Sequence, residues 1–301
     1  MLSRLKNSKL LSIAVSKVIV PSAFPVVRFV KDQIFLAHFD RGNLKPSIFG
    51  WPFILWARAW GYMTHYVRRE FNDYACRKYF HFHQHHYGPT GRGYFSYADL
   101  DRTAKANLFG QPAGRVAPFI ERYADLLGYA DGNSFLDAGC GRGQNIKVLM
   151  DRFPSSVIHG IDFNAEAAEV ITLAVDDHRV MVCPGDLTDP ETIRAIGNNA
   201  YDHVVLSHVL SIIIGDGREA TLKIRSMIIT ELARVASKSL LIIDSHAIIS
   251  DRVQFEIEQR DRGAYVESIL PYFEPLPGRT MVFSAAGSVA VLYQPTQPSC
   301  P

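Results

Sequence analysis

The chain has 301 residues, of which 48% are hydrophobic, and its formal net charge is +2. This composition excludes an intrinsically disordered chain and leaves room for one large domain, or for a domain with an extension. The charge is unevenly divided, because residues 1–110 hold sixteen Lys/Arg against six Asp/Glu, whereas residues 111–301 hold sixteen against twenty-four. We therefore expect a folded domain over 111–301 and a basic N-terminal extension over 1–110. The extension should bind a different kind of partner from the folded domain.

The first 31 residues contain six basic residues and no acidic residue. Their apolar runs, 10–15 and 18–20, are separated by Lys17 and are too short and too charged for a membrane span. A secretory signal is less favoured, since no clean small-residue cleavage site follows, while an organelle transit peptide fits the composition equally well. We prefer a basic amphipathic arm on an anionic membrane surface, in a cytoplasmic protein that is peripheral at the inner face of the membrane.

Aromatic and basic residues are mixed in the next part of the chain. All three tryptophans of the protein fall within residues 48–67, and arginines stand among and just after them. This mixture suits the lipid headgroup region, and it equally suits a helical cap over the folded domain or an oligomer contact. Because it forms no clear basic stripe, we do not expect a nucleic-acid partner.

Three histidines alternate in residues 81–87 and would share one face of a strand, where imidazoles can bind a metal. No carboxylate or cysteine stands nearby in the sequence, so a histidine-rich loop or a substrate-pocket role is favoured, and we expect no metal. The four cysteines are scattered without metal or disulfide spacing, which indicates a reducing compartment. These histidines and cysteines are His81, His83, His85, Cys76, Cys140, Cys183 and Cys300.

After a glycine-rich loop over 88–93, Tyr94 and Tyr97 precede the folded domain. From 112 onward, helical patterns alternate with continuous apolar strands, which predicts a parallel sheet covered on both faces. We predict helices over 112–127, 144–152, 165–175, 190–196, 218–236 and 251–269, with Asn164 as an N-cap. Two last strands, 280–284 and 288–294, are predicted to form an antiparallel pair.

The segment 135–145 carries the strongest motif of the chain. An apolar run ends in Asp137, and glycines follow at every second position: Gly139, Gly141 and Gly143. Glycine allows the backbone to approach a ligand closely, and the helix that follows presents unsatisfied N–H groups. The spacing G-x-G-x-G differs from the G-x-G-x-x-G of dinucleotide-binding proteins. The motif resembles motif I of the class I S-adenosylmethionine (SAM)-dependent methyltransferases.

The strands that follow extend the resemblance over roughly residues 110–295. The second strand ends in Asp162, where an acid accepts ribose hydroxyls in nucleotide-binding α/β folds. The third runs into Asp186 and Leu187, which match the positions that contact adenine in the family. The resemblance implies a Rossmann-like α/β fold with a doubly wound, mostly parallel seven-stranded sheet, SAM as cofactor and methyl transfer as activity. The implied cofactor-binding residues are Asp137, Gly139, Cys140, Gly141, Gly143, Asp162, Phe163, Asp186, Leu187 and Ser207.

The acceptor side has two candidate catalytic residues. His208 follows the fourth strand and His246 follows the fifth, at the edge of the sheet where open α/β folds bind ligands. Imidazole titrates near the working pH and can take a proton from a hydroxyl. The segment at 207–210 departs from the Asn-Pro-Pro-Tyr type of the enzymes that methylate amide or nucleobase nitrogens. We therefore expect a hydroxyl acceptor on a glycan, a lipid-linked sugar or a small molecule.

Two other functions remain as alternatives. The chain could be a SAM-binding scaffold that has lost catalysis and acts through its N-terminal region. It could also be a nicotinamide-dependent oxidoreductase, although the glycine spacing and Asp137 argue against this class. Tyr94 and Tyr97 are candidates for a lid over the cofactor, as residues before the core often are in the resembling family, or for ordinary aromatic packing.

Overall fold

The computed structural model describes residues 97, 99–244, 269–286 and 288–296, together with 17–18, 22–23 and 77. Most of the N-terminal extension, the histidines at 81–86, Tyr94, His246 and all but the last residue of the predicted helix over 251–269 lie outside the described residues. The described helices are α1 (Arg102–Ala106), α2 (Ala117–Leu127), α3 (Gln144–Arg152), α4 (Ala165–Ala174), α5 (Pro190–Arg194) and α6 (Arg218–Val235). The strands are β1 (Ser134–Ala138), β2 (Val157–Asp162), β3 (Val180–Pro184), β4 (Tyr201–Ser207), β5 (Ala236–Asp244), β6 (Gly278–Ala285) and β7 (Ser288–Pro295).

The seven strands form one sheet in the order β3-β2-β1-β4-β5-β7-β6. Strands β1 to β5 are parallel, and β7 is antiparallel to both β5 and β6. From β1 the chain adds strands towards one edge of the sheet, and from β4 it adds them towards the other. Open α/β sheets bind ligands in the crevice at the carboxyl ends of the two strands where this order reverses. The predicted fold class and the closing antiparallel pair are confirmed.

Both faces of the sheet are covered by helices, as continuous apolar strands require. On one face, residues of α2, α3 and α4 such as Phe119, Ile146 and Ile171 pack against the sheet. On the other face, Ile193 of α5 and Leu232 of α6 do the same. The sheet therefore stands between two helical layers, and its carboxyl edge is held rigidly from both sides.

The boundaries of helices α3 and α4 follow the predictions closely. Helix α3 spans the predicted residues, and Asn164 is the N-cap of α4, because its side chain accepts from the Glu166 N–H at 2.9 Å. Helix α2 begins at Ala117 rather than at residue 112. The reason is packing, since a Cβ on Gly114 would lie 2.4 Å from the Gln144 carbonyl oxygen. The segment before α2 thus follows the surface of α3 as a loop.

Candidate functional site

The carboxyl ends of β1 and β4 meet at the centre of the sheet edge. Ala138 pairs with Leu206, so the glycine loop after β1 lies beside the segment after β4. The two segments touch, because a Cβ on Gly139 would come within 2.4 Å of Val209 Cγ2. Glycine at this position is therefore required by the close approach of the two loops.

The three glycines of the loop all have left-handed backbone, with φ of 73° at Gly139, 50° at Gly141 and 74° at Gly143. We expected their backbone to face the ligand, but their N–H groups donate within the protein. The N–H of Gly139 donates to Ile161 O at 2.7 Å and that of Gly143 to Cys140 O at 3.0 Å. The glycines thus shape the loop and leave its remaining backbone for a ligand.

Cys140 is buried inside the loop, where desolvation raises the pKa of its thiol. Its sulfur packs against Gly160 of β2, where an added Cβ would lie 2.8 Å from Sγ. Sequence reasoning missed Gly160, since a single glycine in a strand carries no signal of what lies opposite. Cys140 therefore acts as a small apolar residue beneath the loop.

Helix α3 begins immediately after the loop, with Gly143 as its N-cap and no side-chain cap. The first-turn N–H groups of such a helix are available to an anionic or polar ligand. Asn145, in that first turn, donates from Nδ2 to Asp137 Oδ1 at 3.2 Å and accepts from the Val116 N–H at 3.2 Å. Asn145, which sequence reasoning missed, thus ties β1, α3 and the segment before α2 together.

Asp137 is fully buried at the end of β1. Among the described residues, its Oδ2 atom has no hydrogen-bond partner. Burial raises the pKa of Asp137 to about 7, while the hydrogen bond from Asn145 opposes this shift. A buried acid with one oxygen unsatisfied fits a cation, because a positive charge placed there would favour its ionised form.

Asp162, at the end of β2, holds the glycine loop. Its Oδ2 accepts from the Gly141 N–H at 2.8 Å and its Oδ1 from the Asn164 N–H at 2.9 Å. Burial raises the pKa of Asp162, and these two hydrogen bonds oppose the increase. A carboxylate oxygen has a second lone pair, so these bonds leave acceptor capacity for a ribose hydroxyl. Phe163 follows with 52% of its surface exposed, as a ring available to stack on a base.

Asp186 and Leu187 follow β3 with different surroundings. Asp186 is exposed, and its Oδ1 accepts from both the N–H and the hydroxyl of Thr188, at 2.8 and 2.7 Å. Leu187 is buried in the core on the α5 and α6 side of the sheet. The pair thus combines a turn carboxylate at the surface with an apolar side chain beneath it.

Tyr97, which precedes α1, contacts both α4 and the glycine loop. Its N–H donates to the Glu166 carboxylate, and the Arg142 guanidinium lies 5.9 Å from the centre of its ring. Burial raises the pKa of Tyr97 to about 12, with Arg142 opposing the shift. The tyrosine that we listed as a candidate lid therefore packs on the glycine loop as a neutral phenol.

His208 stands at the carboxyl end of β4, directly after Ser207. Its backbone is left-handed, with φ of 56°, and its N–H donates to Ile243 O at 2.8 Å. The Nδ1 atom lies 3.9 Å from Asp244 Oδ1, and the Asp244 side chain is only 1% exposed. The Ser211 N–H donates to the other Asp244 oxygen at 3.4 Å. The carboxyl ends of β4 and β5 thus bring together an imidazole and a buried carboxylate.

In the part of the chain that the structure describes, no three His, Cys, Asp or Glu side chains stand close enough to hold a metal ion. Nor does any helix within those residues combine the length and apolar character needed to cross a membrane.

Parts of the chain are similar to known proteins. The family model described as methyltransferase domain matches residues 135–255. A SAM-dependent methyltransferase from Aquifex aeolicus aligns over 65% of this chain and 100% of its own, at 19% identity and a TM-score of 0.45. One from Mesorhizobium loti aligns over 57% and 94%, at 13% identity and a TM-score of 0.44. No curated protein matches the chain in sequence.

Proposed function

We propose that this chain, whose residues 135–255 match a family model described as methyltransferase domain, is a class I SAM-dependent methyltransferase that transfers the methyl group of SAM to a hydroxyl oxygen, with His208 as the general base. The observation that carries the proposal is the His208–Asp244 pair at the carboxyl edge of the sheet. The match to this family model is the premise, and the enzyme class, the acceptor atom and the roles of individual residues are what we propose.

The residues at the edge of the sheet fit SAM. The unsatisfied Oδ2 of Asp137 and the uncapped N-terminus of α3 suit the ammonium and carboxylate of its amino-acid part. Asp162 and Phe163, at the end of β2, would bind the ribose and stack on the adenine, and Asp186, after β3, would contact the base. The loop after β1 approaches its neighbours closely because its residues Gly139, Cys140, Gly141 and Gly143 are small. Ser207, at the end of β4, lies beside this loop.

The left-handed backbone of His208 supports a functional role for this residue. A non-glycine residue in this conformation costs on the order of 1 to 3 kcal/mol and persists only where the surrounding structure imposes it. Here the hydrogen bond from the His208 N–H to Ile243 O holds the strand end, and the turn directs the chain into the loop beyond. Histidine tolerates a left-handed backbone better than β-branched residues do. The strained residue is therefore also the one that we propose as the base.

The chemistry needs a group that takes a proton from the acceptor hydroxyl. When bound, SAM supplies a methyl group on a sulfonium that is already a good leaving group. His208 takes the proton of the attacking hydroxyl through its imidazole, and the Asp244 carboxylate stabilises the imidazolium that results. Holding the acceptor in line contributes the rest of the rate.

The N-terminal extension over 1–110 is proposed to select or dock the acceptor. Its excess of ten positive charges and its grouped tryptophans suit an anionic membrane surface, which favours a lipid-linked sugar or a small hydrophobic alcohol as acceptor. We therefore propose that the enzyme acts at the inner face of a membrane. The proposal predicts that the protein floats with anionic liposomes and that deletion of residues 1–35 weakens this binding.

The base assignment is tested with the substitution His208→Asn, because asparagine tolerates a left-handed backbone. Labelled SAM is incubated with a phenol, a hexose and a polyprenyl alcohol, and methyl transfer is counted. We expect transfer to at least one hydroxyl, and a decrease of roughly 100-fold or more in kcat for the variant with unchanged SAM affinity. The control is His178→Asn, since His178 is a surface histidine with 95% of its side chain exposed. Full turnover by His208→Asn would refute the assignment.

A further inference from the structure

The inner face of α6 changes from polar to apolar along the helix. Its first half buries the side chains of Thr221 and Arg225, which stand one turn apart and are both 0% exposed. Further along, Ile228, Ile229 and Leu232 continue the same face into the apolar core. Removing a guanidinium from water has a high free-energy cost, so a fully buried arginine requires partners that its N–H donors can bind.

Arg225 binds backbone carbonyls of the segment that leads from β4 to α6. Its Nε atom donates to Ile213 O at 3.2 Å, and its Nη2 atom donates to Ser211 O at 3.5 Å. Thr221 holds the far end of the segment, where its hydroxyl accepts from the Gly215 N–H at 3.0 Å. Side chains of α6 thus fix this segment at two separate places.

Ser211 connects the segment to the carboxylate beside His208. While its carbonyl accepts from Arg225, its N–H donates to Asp244 Oδ2 at 3.4 Å. The other carboxylate oxygen, Oδ1, lies 3.9 Å from His208 Nδ1. Strand alternation puts Asp244 on the same side of β5 as Ile242, which belongs to the core beneath α6. A short chain of contacts therefore runs from the guanidinium to the imidazole.

The distance between Asp244 and His208 makes the orientation of this carboxylate decisive. At 3.9 Å the two atoms are further apart than in a hydrogen bond, and catalytic hydrogen bonds are often long until the substrate binds. The pair can close only if Asp244 keeps one oxygen towards the imidazole. The Ser211 N–H, whose peptide segment Arg225 holds, binds the opposite oxygen and so favours that orientation.

We infer that Arg225 is a positioning residue for methyl transfer, which keeps Asp244 turned towards His208 by holding the turn at 211–213. The inference rests on the proposed function, because it matters only for a reaction in which this pair takes the proton. A guanidinium has a planar fork that fixes two carbonyls relative to each other, which a single ammonium cannot do. A lysine at this position would therefore replace the charge but only part of the role.

The tautomer of His208 reports the orientation of Asp244 without any acceptor. A neutral imidazole whose Nδ1 donates to a carboxylate carries its proton on Nδ1, whereas free histidine prefers the proton on Nε2. Long-range proton–nitrogen NMR correlations of the full-length, histidine-labelled protein distinguish the two forms at about pH 8.5, where imidazole is neutral. The His208 signal is identified by its loss in His208→Asn. We expect the Nδ1–H form in the wild type and mainly the Nε2–H form in Arg225→Met.

Turnover separates positioning from a merely structural role. With the hydroxyl acceptor found in the assay above, Arg225→Met is expected to lower kcat by roughly 10- to 100-fold and to leave the KM for SAM unchanged. Arg225→Lys should lie between this variant and the wild type in both kcat and tautomer. Thr221→Val is the matched control, since it removes a buried hydrogen bond of the same helix face without touching Ser211. It should lower stability and keep both the tautomer and kcat.

Several outcomes would overturn the inference. A wild-type tautomer or a wild-type kcat in Arg225→Met does so, and equal changes in Thr221→Val would show that any loosening of the segment is sufficient. If Arg225→Met does not fold, as judged by loss of SAM binding, Arg225→Lys decides, and wild-type values in that variant overturn the inference.

The same measurements distinguish this inference from the proposed function. If His208→Asn loses turnover while Arg225→Met keeps it, the proposed function stands and the inference alone fails. Full turnover by His208→Asn refutes the proposed function, whatever the variants of Arg225 do. If none of the hydroxyl probes is methylated, the proposed function also fails, and the tautomer alone shows whether Arg225 orients the pair.

Discussion

The histidines at the two ends of the parallel sheet have different surroundings. At the amino end, both ring nitrogens of His203 are partnered, with Nδ1 2.8 Å from Ser239 Oγ and Nε2 3.0 Å from Asn133 Oδ1. Burial lowers the pKa of His203 to about 4, so its imidazole stays neutral. At the carboxyl end, Asp137 is buried with Oδ2 unsatisfied, and His208 stands beside a carboxylate in a left-handed conformation.

This difference in hydrogen bonding separates groups that stabilise the fold from groups that are available to a ligand. A closed hydrogen-bond network stabilises the fold and leaves nothing for a ligand, whereas a buried unsatisfied group has a cost that a ligand can remove. Histidines occur at both ends, so residue type alone does not identify the site. The surroundings of each histidine do.

The largest effect is expected from Asp137→Asn, which replaces the unsatisfied carboxylate by a neutral group of the same shape. SAM affinity should fall on the order of 100-fold, because a charged hydrogen bond to the cofactor is lost. The folded protein should become more stable at pH 8. The pKa of Asp137 is raised from 3.8 to about 7 by folding, so this acid opposes folding increasingly as the pH rises from about 4, and fully above about pH 7.

Thermal unfolding with and without SAM checks this prediction. The stabilisation by Asp137→Asn should be full above pH 7, shrink as the pH falls from 7 towards 4, and vanish below that. Asp202→Asn is the control at the amino end, where the pKa of the acid is lowered by contacts that include Ser134 and Lys238. That variant should destabilise the protein at pH 8. Destabilisation by Asp137→Asn at the same pH would mean that its carboxylate is satisfied.

The next effect concerns the glycine loop, where Gly143→Ala is compared with Gly128→Ala. Both positions have left-handed backbone, but a Cβ on Gly143 would lie 2.5 Å from Phe109, whereas one on Gly128 meets nothing within 4 Å. We expect a loss of about 1 kcal/mol in unfolding free energy for Gly128→Ala and at least about 2 kcal/mol for Gly143→Ala. Urea unfolding measures both, and equal losses would show that the contact with Phe109 relaxes freely.

The smallest effect is expected from Ser239→Ala at the amino end. The substitution removes the partner of His203 Nδ1 and should cost about 1 kcal/mol of unfolding free energy. SAM affinity and turnover should not change, since this end of the sheet takes no part in binding. A fall in SAM affinity beyond the loss of stability would contradict the division between the two ends.

The features visible in the sequence are those that depend on neighbours along the chain. Continuous apolar runs identified the strands, and the acids that end β1 and β2 stand where the motif placed them. The side chains that complete the site depend on contacts across the sheet. Asn145 reaches Asp137 only because α3 packs over β1, and Asp244 meets His208 only through the register of β4 with β5.

A buried arginine is a second example of a contact that the sequence does not reveal. Arg225 on α6 is fully buried, and its Nε donates to Ile213 O at 3.2 Å, which supports the loop beyond His208. In sequence, an arginine in an amphipathic helix indicates the solvent face. Only the packing of α6 under the loop reveals that it holds the segment next to the base.

The most direct test of the account is calorimetric titration of the protein with SAM at pH 6 in two buffers of different ionisation enthalpy. The account predicts micromolar binding accompanied by release of close to one proton, because Asp137 is mostly protonated at pH 6 and must ionise against the cation. Release should disappear in Asp137→Asn and at pH 8.5. Absence of SAM binding, or tight binding without proton release that Asp137→Asn leaves unchanged, would contradict the assignment of this edge of the sheet as the cofactor site.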